Sequence, residues 1–201
     1  MIGLALMTDN DGALTPPDSP EALEYANQHP GSWLYEIDPF FDSDDDVPAY
    51  GIVGAWSIDE DGKITDLFKK NPDYRPSPEV LGFPEPTDQL DAAIQLVVAG
   101  YGDESQALAQ LRSSEVLVAT GPEAGSGSVW VHETDGIEGV FAFTSREQLP
   151  KEPLFEGGSW RALPATELAS SVPDNIDIVI NINSPARWKI DSQNLRLHSG
   201  R

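Results

Sequence analysis

The 201-residue chain is 39% hydrophobic and holds five Trp, five Tyr and seven Phe, enough for one larger domain or two small ones and too much for wholesale disorder. It has no cysteine, which excludes disulfides, thiol nucleophiles and cysteine-bound zinc or iron–sulfur sites. Its formal charge of −22 is concentrated in residues 1–62, which carry fourteen acids and no Lys or Arg; such a surface repels nucleic acid and anionic membrane and steers basic proteins toward it.

The chain opens on "IGLALM", an apolar run without a basic flank and too short for a signal peptide or a membrane span. With the absence of cysteine, this gives the expectation of a cytoplasmic protein. Residues 1–19, rich in Asp, Pro and Gly from residue 8 onward, are expected to form a flexible acidic arm. Ser19 is placed to cap a helix over 20–28, with Pro20 at its first position and Glu21 and Glu24 in the first turn, where the helix dipole favours them. "SWLYEID" (32–38) alternates and is rich in aromatics, so it predicts a strand. "YGIVGAWSID" (50–59) predicts a second and "KITDLFKKN" (63–71) a third, with Asp61-Gly62 as the hairpin signal between them. These strands form a small antiparallel sheet within a β-rich segment spanning 20–70.

Residues 71–87 hold five prolines and cannot be a central strand or a long helix. They read as a rigid linker or a wrapping loop. Helical spacing of Leu90, Ala93, Ile94, Val97 and Val98 predicts a helix over 87–102, capped by Thr87, and Ala107, Leu108 and Leu111 mark a second over 103–114. Strands are expected at 115–120, 128–133, 139–145, 176–183 and 186–191, with a helix at 164–174. The fold class is therefore α+β: a small antiparallel sheet, then a mixed α/β domain over 88–195, then a tail over 196–201.

The segment "DPFFDSDDDVPAY" concentrates the acidic residues. An EF-hand started at Asp42 places Asp44 and Asp46 at positions three and five. Position six is Val47 in place of the required Gly, and position twelve is Val53 in place of a bidentate acid. No metal or cofactor site is expected there. The remaining candidate is a partner-binding patch of Asp38, Phe40, Phe41, Asp42, Asp44, Asp45, Asp46 and Tyr50, because aromatics beside acids suit a basic, partly apolar partner. The alternative is that Phe40 and Phe41 simply anchor the loop on the sheet. The strand aromatics Trp33, Tyr35, Trp56, Phe68, Trp130, Phe141 and Phe143 are expected mostly in the core. No catalytic residue is expected. His132, Ser145 and Asp135 are near in sequence, but there is no Gly-x-Ser-x-Gly elbow, and the glycine-rich 121–128 lacks the Lys-Ser/Thr of a phosphate loop.

The C-terminal half resembles the SseB N-terminal domain family. The resemblance rests on "VFAFTSREQL" (Val140–Leu149), "LPATELA" (Leu163–Ala169) and a strand ending at Asn181, followed by Ser184-Pro185-Ala186. Where that family shows Asn-Pro-Gly this chain has Asn181-Ile182-Asn183, without the tight glycine turn. "HPGSWLYEIDPFFD" (29–42), "GIVGAWSIDEDGKI" (51–64) and "NPDYRPSPEVLGFPEPTDQLDAAIQL" (71–96) resemble actinobacterial type VII secretion system-associated proteins, which join such a segment to an SseB-like domain. The resemblance implies a cytoplasmic accessory of type VII secretion and implies no reaction. The expected function is a non-catalytic adaptor, substrate chaperone or immunity-type partner that uses its acidic surface to bind a basic protein. An acidic nucleic-acid mimic and an enzyme are the alternatives.

Overall fold

The computed structural model describes residues 15–42, 46–120, 129–152 and 158–196. The chain divides into two compact units, Met1–Gly82 and Phe83–Arg201.

The first unit is a three-stranded antiparallel sheet with one helix. Helix α1 (Pro20–Gln28) starts as its sequence predicts: Ser19 is the cap, and its hydroxyl accepts from the backbone N–H of Ala22 at 3.2 Å. Strands β1 (Trp33–Ile37), β2 (Ile52–Ile58) and β3 (Ile64–Lys70) lie in the order β1-β2-β3. Asp59 shapes the β2–β3 turn by accepting from the N–H groups of Asp61 and Lys63, and Gly62 takes the left-handed φ of 79°. Strand pairing aligns Leu34, Trp56 and Phe68 across the inner face. Ala22 and Ala26 of α1, together with Ile58 and Ile64, complete that core. Trp56 is fully buried with its ring 4.7 Å from that of Phe68. Its burial is worth on the order of 5 kcal/mol, so one side chain dominates this small core.

The proline-rich run does not behave as one linker. Its first part is laid against the sheet. The Asn71 side chain donates to the carbonyls of Ala49 and Ile52, and the Arg75 N–H donates to Tyr50 O. Past Gly82 the chain joins the second unit, where Gln95 donates to Pro84 O.

The second unit packs helices on a six-stranded mixed sheet. Its elements are α2 (Gln89–Ala99), α3 (Glu104–Arg112), β4 (Glu115–Thr120), β5 (Val131–Thr134), β6 (Ile137–Phe143), β7 (Ser159–Pro164), α4 (Ala165–Ser171), β8 (Asp177–Ile180), β9 (Trp188–Asp191) and α5 (Ser192–Arg196). The order is β7-β4-β6-β8-β9, and β5 pairs with β6 on the β4 side. Only β6 and β8 are parallel. A parallel pair needs a long crossover, here supplied by β7 and α4. Val140, Ala142, Ile178 and Ile180 face the helices, meeting Leu90, Ile94, Leu111 and Leu168. Phe141, Phe143 and Val179 point the other way and are buried as well. A central strand buried on both faces reads as the continuous apolar run seen in β6.

The α+β class holds, and four details differ from expectation. Asp88, not Thr87, caps α2, accepting from Asp91 N–H at 2.9 Å. Strand β7 and helix α5 have no counterpart in the sequence reading. β7 is defined by six cross-strand pairs with β4, and such partners leave no local pattern. Among the aromatics expected in the core, Trp56, Phe141 and Phe143 are buried and Phe68 is half-buried, whereas Trp33, Tyr35 and Trp130 are exposed.

Leu111 on α3 is fully buried in the larger core. Leu111→Ala is expected to lower stability by about 2–5 kcal/mol, read as a lower urea midpoint at unchanged slope.

Candidate functional site

The acidic connection runs from Asp38 to Gly51, between β1 and β2. Asp38 does not belong to an exposed face. It is fully buried: Oδ1 accepts from Phe40 N–H at 3.0 Å, and Oδ2 accepts from the Tyr74 hydroxyl at 2.7 Å and from Ser77 N–H at 3.0 Å. Three donors offset the cost of taking this carboxyl out of water. Its place in the predicted patch is therefore corrected. Asp38 is the internal clamp that ties the proline-rich segment to the base of the loop.

Phe41 is half-buried over Gly51, where any Cβ would sit 2.3 Å from Phe41 Cε2. Phe40 meets it edge-on at 5.3 Å, and the half-buried Tyr50 ring lies 6.1 Å from Phe41. Val47, on the other side of the loop, is buried. Phe40 (49% exposed), Asp42 and Asp46 face solvent. Asp44 and Asp45 lie outside the described residues. The structure also brings Arg75 to the loop, with its guanidinium 5.4 Å from the centroid of the Tyr50 ring. The sequence reading missed this neighbour because it lies 25 positions after Tyr50.

Beside the loop, Glu36 is buried on β1 and accepts from Trp56 Nε1 at 2.8 Å. Burial pushes its carboxyl above the usual glutamate range, and the indole hydrogen bond only partly opposes this.

The second unit has its own buried polar cluster. Asp91, in the first turn of α2, is fully buried. Its Oδ2 accepts from Thr87 N–H and from Gln148 Nε2, each at 2.9 Å, and its Oδ1 accepts from Asn181 Nδ2 at 3.2 Å. Asn181 follows β8 with a φ of 52° and is also fully buried. Its Oδ1 accepts from Thr144 N–H at 3.1 Å. Asn is among the residues that tolerate this conformation, so it makes the turn that a glycine would otherwise supply. Ser145 donates to Thr87 Oγ1 at 3.0 Å and so belongs to this cluster. His132 lies on β5, stacked 5.7 Å from Phe141, and burial pushes its imidazole below the usual histidine range. Asp135 sits in the β5–β6 turn with a φ of 52°.

The segments that carry the family resemblance, Val140–Leu149 and the end of β8, thus converge on Asp91. Residues 90–197 match the family model described as SseB protein N-terminal domain. The chain belongs to the SseB N-terminal domain family. Searches of curated proteins and of solved structures returned no match. The SseB match takes in α2 through α5 and leaves the acidic loop outside it. Among the described residues, no helix is long and apolar enough to cross a membrane, and no three His, Asp or Glu side chains are grouped as metal ligands.

Two outcomes are expected. A carboxyl with a raised folded pKa favours folding while it is protonated. That contribution is complete below the unfolded value and is lost as pH rises through the folded one. Glu36→Gln keeps an acceptor for Trp56 and removes the buried charge. It should raise the unfolding midpoint at neutral pH, with the gain vanishing as pH falls toward about 4.3. In the SseB domain, Asn181→Ala strains the left-handed turn and leaves Asp91 and Thr144 short of a partner, so it should cost about 2–4 kcal/mol in denaturant unfolding. Asn181→Gly relieves only the strain and should cost less.

Proposed function

We propose that this protein is a non-catalytic, cytoplasmic protein-binding accessory of type VII secretion, acting as an adaptor, substrate chaperone or immunity-type partner. Its ligand is a basic, partly apolar protein, taken by the β1–β2 loop. The observation that carries the reading is Phe40, half exposed on a loop that also exposes Asp42 and Asp46 and whose base is clamped by Asp38 and Phe41. The resemblance of residues 29–42, 51–64 and 71–96 to type VII secretion-associated proteins supports the cellular context.

Magnitudes divide the work between these side chains. Covering the exposed half of a Phe ring contributes about 2 kcal/mol. Each solvent-exposed carboxyl–base pair contributes about 0.2–1 kcal/mol and is weakened by salt. Phe40 is then the anchor that sets how long the partner stays. Asp42 and Asp46, within a segment of 62 residues without a base, set how fast it arrives.

Pull-downs from the native cytoplasm at low and high salt test this. Wild-type protein should retain a basic type VII substrate or machine component at low salt and lose most of it at high salt. Phe40→Ala should speed its dissociation about tenfold or more, and the Asp42→Asn, Asp46→Asn double variant should slow its association. Capture unchanged by salt and by all three substitutions would remove the loop from the function.

A further inference from the structure

The outer face of the first sheet carries a groove that the acidic-loop reading does not use. Strand register sets Tyr35, Ala55 and Lys69 in one row across β1, β2 and β3. Trp33 stands beside Tyr35 on the same face of β1, opposite Ser57. Leu67 flanks Lys69 on β3. The aromatic wall is 37% exposed at Trp33 and 42% at Tyr35, and Lys69, Lys70, Asn71 and Pro72 form the opposite wall. The floor between them is formed by Ile52, Gly54 and Ala55 of β2. The groove therefore follows β2, with its sides formed by the outer strands. A cavity of about 390 Å³ lies in it, lined by Trp33, Tyr35, Gly54, Ala55, Lys69 and Lys70 among others. That volume falls within the range of ligand sites.

Charge narrows the occupant. Residues 1–70 contain only three bases, Lys63, Lys69 and Lys70, and two of them line this cavity. Neither forms an ion pair among the described residues. The rest of the protein repels anions, but at physiological salt repulsion is largely screened beyond about 8 Å, so a carboxylate beside Lys69 responds to the local charge first.

Backbone chemistry narrows it further. The floor is the middle strand of the sheet, and its N–H and C=O groups are spent on β1 and β3. An added β-strand would find no partners there. A polyproline II segment needs none, because it has no internal ladder to complete and loses little entropy on binding. Its residues two apart repeat at about 6 Å. Residues two apart on a strand, such as Trp33 and Tyr35, stand about 7 Å apart. Successive prolines can therefore stack on the two rings.

We infer that this face is a second docking site, adjoining the base of the acidic loop at Ala49, for a proline-rich peptide segment carrying a carboxylate next to its prolines. The test uses the full chain and three acetylated, amidated proline-rich decapeptides identical except for two residues flanking the prolines: Glu, Gln or Lys. Binding is followed by NMR at the Trp33 indole N–H, assigned by its disappearance in Trp33→Phe. The Glu peptide should shift that resonance with a submillimolar Kd. The Gln peptide should bind about threefold or more weakly, and the Lys peptide more weakly still. Lys69→Glu should weaken the Glu peptide about fivefold, and Trp33→Ala should abolish binding. Both positions are exposed, and unchanged core amide resonances in each variant will establish that it is folded. The inference is overturned if the Glu peptide leaves the Trp33 indole unmoved at millimolar concentration or if the Lys peptide binds equally well. It is also overturned if Trp33→Ala retains binding, if a poly-uridine oligonucleotide shifts the indole in place of the peptide, or if the indole shifts on dilution of the protein alone, which would identify a second copy as the occupant.

Discussion

A carboxyl group taken fully out of water must be given donors in return, and both units of this protein are organised around that requirement. An unsupported buried carboxyl costs several kcal/mol, a sizeable share of the net stability of a small domain. In the first unit Asp38 collects the N–H groups of Phe40 and Ser77 and the hydroxyl of Tyr74. The proline-rich segment is bound to the sheet because it supplies two of those donors. In the second unit Asp91 collects Thr87, Gln148 and Asn181. The start of α2, the turn after β6 and the end of β8 meet because one side chain has to be satisfied from all three.

The same device separates the interior from the exposed surface. With Asp38 and Phe41 turned inward, the β1–β2 connection has a pinned base and presents only its remaining side chains. Phe40, Asp42 and Asp46 face solvent because the residues around them have been committed elsewhere. The sheet beneath adds a second asymmetry. Helix α1 covers one face of the three strands, with Ala22 and Ala26 allowing close approach, and the opposite face keeps Trp33, Tyr35 and Leu67 in solvent. One small unit thus offers two surfaces of opposite chemistry, an acidic loop with an exposed phenylalanine at its base and an aromatic groove edged by lysines.

Much of the architecture was legible in local pattern. Ser19-Pro20 marks the start of α1, Asp61-Gly62 the β2–β3 turn, and Leu90, Ile94 and Leu111 the buried sides of α2 and α3. These are one-dimensional signals, set by caps, turns and periodicity within a few residues. Alternation in "SWLYEID" establishes that β1 has two faces, but it does not say which face a helix will cover. The aromatics of β1 thus read as core, whereas Leu34 and Glu36 take the buried side and Trp33 and Tyr35 the exposed one. Strand β7 escaped because its pattern is weak by itself and is completed by β4, about 40 residues earlier.

The candidate site was legible only in part, for the same reason. Asp38 stands in a run of aspartates and looks like its neighbours; what distinguishes it arrives 36 and 39 residues later as Tyr74 and Ser77. Asn181 looks like any strand-end asparagine in the sequence and acquires its role from Asp91, 90 residues before it. The sequence by itself determined the α+β class, the concentration of acid in the first third and the family resemblance of the second half, because each is carried by residues close together in the chain. Only the tertiary structure decided which carboxyls lie inside and which aromatics lie outside, because burial and hydrogen bonding are properties of the neighbours that folding brings together.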